Sequence, residues 1–325
     1  MTSPIQQLSG QLLEHTGRVV IGAEAVIRRL IIALVARGHV LLEGPPGLGK
    51  TLLAKCLAQQ LGGQCHRVQC TPDLMPSDVT GVHAYRSGSQ EFEFVPGPLF
   101  ADVVLVDELN RTGPRTQAAL LEAMEERNVT LDRRTYPLPE DFLVIATQNP
   151  HEFEGTYPLP ESQLDRFLMR LRLGHPDAAT ETRVLRAYDT VTDARPARIS
   201  ALPVLDAALL RRAREEASAV TVSDAVYDYV TQIAAASRAH AQVSLGLSTR
   251  GALALMRCAR IEAALDGSTF VTPDHVKSLA GAVVAHRLVA APEAMLEGID
   301  DEALVASILG RVAVPREPAL PAAAP

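Results

Sequence analysis

His39-Val40-Leu41-Leu42-Glu43-Gly44-Pro45-Pro46-Gly47-Leu48-Gly49-Lys50-Thr51 is the stretch that decides how the chain is read. Val40, Leu41 and Leu42 form a short apolar run of the kind that buries as a parallel strand, and the run breaks at Gly44 into a proline- and glycine-rich turn. A helix is predicted to open at Lys50 or Thr51. Gly44 to Thr51 fits the spacing G-x-x-x-x-G-K-[ST], with the strand before it and the helix after it that a phosphate-binding loop requires. Gly47 and Gly49 let backbone N–H groups turn inward around phosphate oxygens, and the new helix adds its positive N-terminal end. Lys50 would bridge the outer phosphates, and the Thr51 hydroxyl would take one position on an octahedral magnesium ion. The predicted nucleotide-binding residues are Gly44, Pro45, Pro46, Gly47, Leu48, Gly49, Lys50, Thr51 and Leu52. An ordinary glycine turn before a helix is the competing reading, and the complete motif in its proper setting argues against it.

Composition sets bounds on the rest. At 325 residues, 47% of them hydrophobic, the chain can fill two cores. A net charge of -7 disfavours a general affinity for nucleic acid phosphates, which would call for a basic face. No apolar run approaches the ~20 residues of a membrane span, and the polar start lacks a signal peptide's apolar segment, so the cytoplasm is the expected compartment. Cys56, Cys65, Cys70 and Cys258 form no C-x-x-C pair and are expected as reduced, mostly buried thiols. His66 beside Cys65 has no second ligand pair to make a metal site.

Upstream of the loop, Val19-Val20-Ile21-Gly22 precedes a helix with apolar Ile27, Leu30, Ile31, Leu34 and Val35 at helical spacing and Gly38 as its expected stop. In nucleotide-binding proteins of this kind such a stretch lies beside the base, which makes Ile21 and Gly22 candidate contacts. Downstream, Val103 to Val106 is a second buried strand that runs into Asp107 and Glu108, and Phe142 to Ala146 a third that ends at Thr147-Gln148-Asn149. Strict alternation in Glu91 to Val95, and the segment from Val129 to Tyr136, suggest two hairpins. Strands alternating with helices imply a parallel α/β sheet, whose ligands collect at the strands' carboxyl ends. Gly44, Asp107 and Asn149 all lie there.

Asp107 can hold magnesium, and the neighbouring Glu108 can polarise a water aimed at a terminal phosphate, a pairing that points to hydrolysis rather than transfer. The Asn149 amide could orient that water. Arg166 could stabilise charge on a transferring phosphoryl group, often from a neighbouring subunit, and Arg250 could reach the phosphates from a second domain. Beyond Lys50, the core motifs offer no cation facing the outer oxygens of the terminal phosphate. From about Asp177 alanine-rich helical patterns take over, including Ser223 to Ala241, Thr249 to Leu265, and a helix begun by Thr272-Pro273-Asp274. The expected domains are a core at 1–176, a helical lid at 177–313 and a proline- and alanine-rich tail at 314–325.

In their order, GHVLLEGPPGLGKT, LVDELNR, QAALLEAMEE, ATQNP and EGTYPLPESQLDRF resemble the signatures of the MoxR family of AAA+ ATPases. The resemblance covers roughly Ile21 to Arg170 and continues more loosely through the helical lid. It implies a P-loop AAA+ core with parallel sheet and hairpin insertions, followed by an all-α lid, and ATP with Mg2+ as cofactors. It further implies Walker A at Gly44 to Thr51, Walker B at Asp107 and Glu108, sensor 1 at Asn149, an arginine finger at Arg166 and sensor 2 at Arg250. The family's Ser-Pro-Arg-Ala setting for the last is here Ser248-Thr249-Arg250-Gly251. Members typically form homo-hexameric rings that remodel protein partners, often proteins with a von Willebrand factor A domain, toward metal insertion or complex maturation. Two other readings stay open: a nucleic-acid motor or loader, which would want basic hairpin tips and finds only Arg133-Arg134, and a small-molecule kinase, disfavoured by the Asp107-Glu108 pair.

Overall fold

The structure is a computed structural model that describes residues 2–45, 47–88, 91–149, 155–189 and 194–315. It divides into two compact units: Gln7–Arg211, and Arg212–Pro325 together with Met1–Gln6.

The first unit contains, in chain order, α1 (Pro4–Gly17, from Gln7 on), α2 (Glu24–Val35), β1 (Val40–Glu43), α3 (Lys50–Leu61), β2 (Cys65–Gln69), α4 (Pro76–Thr80), β3 (Gly81–Arg86) and β4 (Glu91–Pro96). It continues with β5 (Val103–Asp107), α5 (Pro114–Glu126), β6 (Asn128–Leu131), β7 (Arg134–Pro137), β8 (Leu143–Gln148), α6 (Glu161–Leu164), β9 (Met169–Arg172), α7 (Ala178–Tyr188) and α8 (Arg195–Ser200). Five strands form one sheet in the order β2-β5-β8-β1-β9, and every pairing in it is parallel. Val40 to Leu42, Val103 to Val106 and Leu143 to Ala146 are buried throughout, because helices cover both faces of a parallel sheet and leave no polar side to alternate. Each such side chain contributes about 1.5–3 kcal/mol on burial, which is why three short apolar runs suffice to fix the sheet.

His39 enters this core immediately before β1 and is 4% exposed. Its Nδ1 lies 3.0 Å from the Val144 N–H and its Nε2 lies 3.0 Å from the Met124 carbonyl. The amide must donate and the carbonyl must accept, so the ring is neutral with its proton on Nε2. Burial first, and the nearby Arg127 second, push the His39 pKa down from 6.5 to about 4.

Both expected hairpins are present. β3 and β4 pair antiparallel with His83 opposite Phe94, and β6 and β7 are joined by Asp132 and Arg133, both at positive φ (47° and 69°), the geometry of a tight two-residue turn. The two hairpins touch. His83 Nδ1 is 2.8 Å from Asp132 Oδ2, its Nε2 is 3.0 Å from the Tyr136 hydroxyl, and Phe94 stacks on Tyr136 with centroids 4.1 Å apart.

Two details depart from the sequence reading. The helix before β1 ends at Val35, and Arg37, not Gly38, takes the left-handed conformation (φ 53°). Gly38 is needed for a different reason: a Cβ there would lie 2.4 Å from the Leu168 side chain. The edge strand β9 is the other addition. Its Arg170 and Arg172 disguise it, yet Met169 and Leu171 are buried and the backbone pairs in register with β1.

The second unit is helical. After α9 (Ala207–Ala219), in which the division falls, come α10 (Asp224–Arg238), β10 (Val243–Leu245), α11 (Thr249–Leu265), α12 (Pro273–Val284), β11 (Val289–Ala290), α13 (Pro292–Leu296) and α14 (Asp301–Arg311). β10 and β11 add one short antiparallel ladder. Ser248 caps α11 by accepting from the Gly251 N–H at 3.0 Å, and Thr272 and His275 make a capping box on α12, with Pro273 at its first position. Among the described residues no helix is long and apolar enough to cross a membrane. All four cysteines are free thiols, and burial raises those of Cys56 and Cys70 to about 12.

Candidate nucleotide site

The chain leaves β1 at Gly44, whose φ of 151° and near contact with the Leu173 carbonyl, 2.3 Å from where a Cβ would sit, admit only glycine. Gly49, at φ 81°, caps α3 and turns the backbone so that the helix starts at Lys50. Pro45 lies in the turn between, and Pro46 lies outside the described residues. The Lys50 ammonium donates to the Gly44 carbonyl at 2.6 Å. Its burial lowers its pKa, and Asp107 and Glu108 work in the opposite direction.

Across from this loop, Asp107 ends β5 and is 8% exposed. Its carboxylate accepts from Arg67 Nε at 2.6 Å and from the Thr147 hydroxyl at 3.2 Å. Glu108 follows in the left-handed region, φ 59° and ψ 50°, which a residue with a side chain occupies only at a cost of about 1–2 kcal/mol. Its N–H donates to the same Thr147 hydroxyl at 3.0 Å, so one β8 side chain ties down both acids. The Glu108 carboxylate accepts from Gln69 Nε2 at 3.0 Å and pairs with Arg111 Nε at 3.2 Å. Beneath the loop Glu43, buried at 6%, accepts from Gln148 Nε2 at 2.6 Å and faces Arg170 at 3.6 Å and Arg172 at 3.5 Å.

Gly44, Gly47, Gly49, Lys50, Thr51, Leu52, Asp107, Glu108 and Asn149 thus line one cleft of about 490 Å³, joined there by Arg67, Gln69, Thr147 and Arg195. A neighbouring cavity of about 670 Å³ is lined by Val19, Val20, Ile21, Gly22, Leu48 and Tyr188, with Arg172, His175 and Arg195 among its polar members, a mixed, partly apolar setting that can hold a base. Two expected residues lie elsewhere. Arg166, just after α6, pairs with Glu125 of α5 at 3.0 Å and is not among the residues lining this cleft; Arg250 stands in the first turn of α11, in the other unit. Arg67, Gln69, Thr147 and Arg195 were not singled out from the sequence. The parallel register that sets Gln69 opposite Asp107 brings β2 to the acids, and no local spacing announces it.

Magnesium fits this donor set. The ion takes near-octahedral oxygen ligands and keeps waters, so it is held by one or two protein oxygens plus phosphates rather than by a protein cage. Asp107 and Thr51, both lining the cleft, supply one carboxylate and one hydroxyl, and among the described residues no group of three or more His, Cys, Asp or Glu side chains stands ready to hold a metal ion by itself.

Comparison with known proteins agrees with this geometry. Residues 39–169 match the model of the ATPase family associated with various cellular activities (AAA), and residues 235–308 match the AAA lid domain. The chain is 45% identical over 315 residues to the uncharacterised protein YeaC of Bacillus subtilis, covering 96% of each. It is 38% identical to chaperone MoxR1 of Mycobacterium tuberculosis over 94% of this chain and 81% of that one, and 35% identical to protein MoxR of Paracoccus denitrificans over 84% and 86%. A crystal structure from Cytophaga hutchinsonii, described as that of a candidate ATPase, superposes with a TM-score of 0.88 at 36% identity, covering 96% of each chain. A phosphate loop at the head of one strand of a five-stranded parallel sheet and an acid pair at the end of β5 are accounted for together: the chain belongs to the MoxR family of AAA+ ATPases, enzymes that hydrolyse ATP.

Proposed function

We propose that this chain acts as one subunit of a homo-hexameric ring that couples ATP hydrolysis to remodelling of a protein client in the cytoplasm. The observation that carries the chemistry is the Asp107-Glu108 pair, held beside the phosphate loop by the single Thr147 hydroxyl. In this reading Lys50 leaves the Gly44 carbonyl for the outer phosphate oxygens, while Asp107 and Thr51 hold magnesium, which when bound draws charge from those oxygens. Glu108 exchanges Gln69 and Arg111 for a water, accepts its proton as the water oxygen bonds to the terminal phosphorus, and ADP departs with the electrons of the broken P–O bond. Asn149 orients the water. Arg250 senses the phosphates from the lid, and Arg166 of one subunit completes the site of the next.

In this reading residues 1–176 form the ATP-binding core and 177–313 the helical lid. The chaperone name carried by the mycobacterial relative supports a chaperone-like role; the client we propose is a von Willebrand factor A domain protein, with metal or cofactor insertion as the outcome. Two substitutions test the chemical part. Glu108→Gln should keep ATP binding and lose nearly all turnover, because an amide can hold a water yet cannot take its proton, whereas Lys50→Ala should lose binding. Wild-type turnover by Glu108→Gln would remove Glu108 from its assigned role.

A further inference from the structure

We propose that Arg195 is a phosphate-binding residue supplied by the chain to its own site, meeting the nucleotide at its inner, α-phosphate end. This rests on the ATP reading of the cleft. The cavity beside Ile21 and the cleft beside Lys50 have four lining residues in common: Gly47, Gly49, Leu52 and Arg195. Only the last of these carries a charge. A nucleotide is a fixed sequence of base, ribose, α-, β- and γ-phosphate, so the base in the cavity beside Ile21 and the outer phosphates on Lys50 leave the ribose and α-phosphate at the seam between the cavities. The loop glycines and Arg195 line that seam together.

The segment that carries Arg195 is tied to the core at both ends. Arg198, one turn on, lies over the Tyr188 ring at 4.6 Å and donates to the Ala187 carbonyl at 2.7 Å. The Tyr188 hydroxyl in turn donates to the Val19 carbonyl at the base cavity, and past α8 the Leu205 N–H donates to the Gln60 carbonyl on α3 at 2.7 Å. Arg195 is therefore presented from a braced helix rather than a loose loop. Charge points the same way. Asp107 and Glu108 line the cleft, Arg67 is engaged with Asp107, and the α-phosphate of a bound nucleotide adds a further negative charge at its inner end. A guanidinium fork matches phosphate oxygens in a way that a lysine does not.

Direct titration of the full-length protein with ATP, ADP and adenosine tests this. Arg195→Ala should weaken ATP and ADP by a common factor of about ten to a hundred, the range for a lost charge-assisted hydrogen bond, with adenosine affinity unchanged and Arg195→Lys between the two. Arg198→Ala, which removes only the bracing contact, should lower thermal stability without separating the phosphorylated ligands from adenosine. The proposal is overturned if Arg195→Ala leaves ADP affinity intact, whether or not ATP weakens, or if it weakens adenosine as much as ADP, as a collapsed cavity would. Lys50→Ala, measured alongside, keeps the two readings apart: full ATP affinity in that variant would sink the ATP assignment of the cleft itself.

Discussion

Glu108 is held in two ways that oppose each other. Its backbone sits at φ 59°, where a side chain is unwelcome, while the Thr147 hydroxyl and Gln69 keep it there. Unfavourable backbone retained at a functional position is a common exchange of stability for geometry. Asparagine tolerates the left-handed region better than glutamate and removes a carboxylate that stands next to Asp107. The partly exposed pair with Arg111, at 3.2 Å, offsets only part of this. Glu108→Asn should therefore raise stability by about 0.5–1 kcal/mol while abolishing hydrolysis. Urea unfolding would measure it, and a lowered midpoint would mean that the Gln69 and Arg111 contacts outweigh the strain. Of this arrangement the sequence displays the acids, because an apolar strand ending in Asp-Glu after a phosphate loop is a local pattern. Thr147 and Gln69 are invisible in it, since each acts through a neighbour that only the sheet register supplies.

Elements differ in the same respect. β1, β5 and β8 are legible as apolar runs because burial on both faces demands it, and the hairpins are legible from alternation and turn residues. β9 is not, because its two arginines find their carboxylate on Glu43, far away in the chain. His39 is another such case, joining the start of β1 to α5 and β8 through two hydrogen bonds that no spacing foretells. Its consequence is a dependence on pH. In the folded chain His39 stays neutral down to about pH 4, while in the unfolded chain it takes up a proton near 6.5. The unfolded state thus gains a proton that the folded state refuses, and stability falls as pH drops from 6.5 to 4, by up to about 3 kcal/mol, with no further loss from this group below that. Comparing urea midpoints at pH 7 and pH 5 for the wild type and His39→Asn would isolate the effect; an equal drop in both would assign the acid sensitivity elsewhere.

At the scale of the whole molecule, the chain holds Arg166 beside its own Glu125 rather than in its own cleft. If that arginine serves a neighbour, where it can be worth ~10³-fold in rate, activity is a property of the assembly and specific rate should rise with protein concentration. Arg166→Ala and Lys50→Ala should each be nearly inactive alone and partly active when mixed, because an intact Arg166 on one chain then meets an intact loop on the next. Mixed rings confirmed by mass but no more active than their parts would exclude Arg166 from this role. The hairpins carry a different consequence. His83 grips Asp132 and Tyr136 at once, and the Phe94–Tyr136 stack lies alongside, so the two insertions are cross-braced like the legs of a trestle. A load on one tip is shared by the other, and neither can swing alone without parting two hydrogen bonds and a pair of rings.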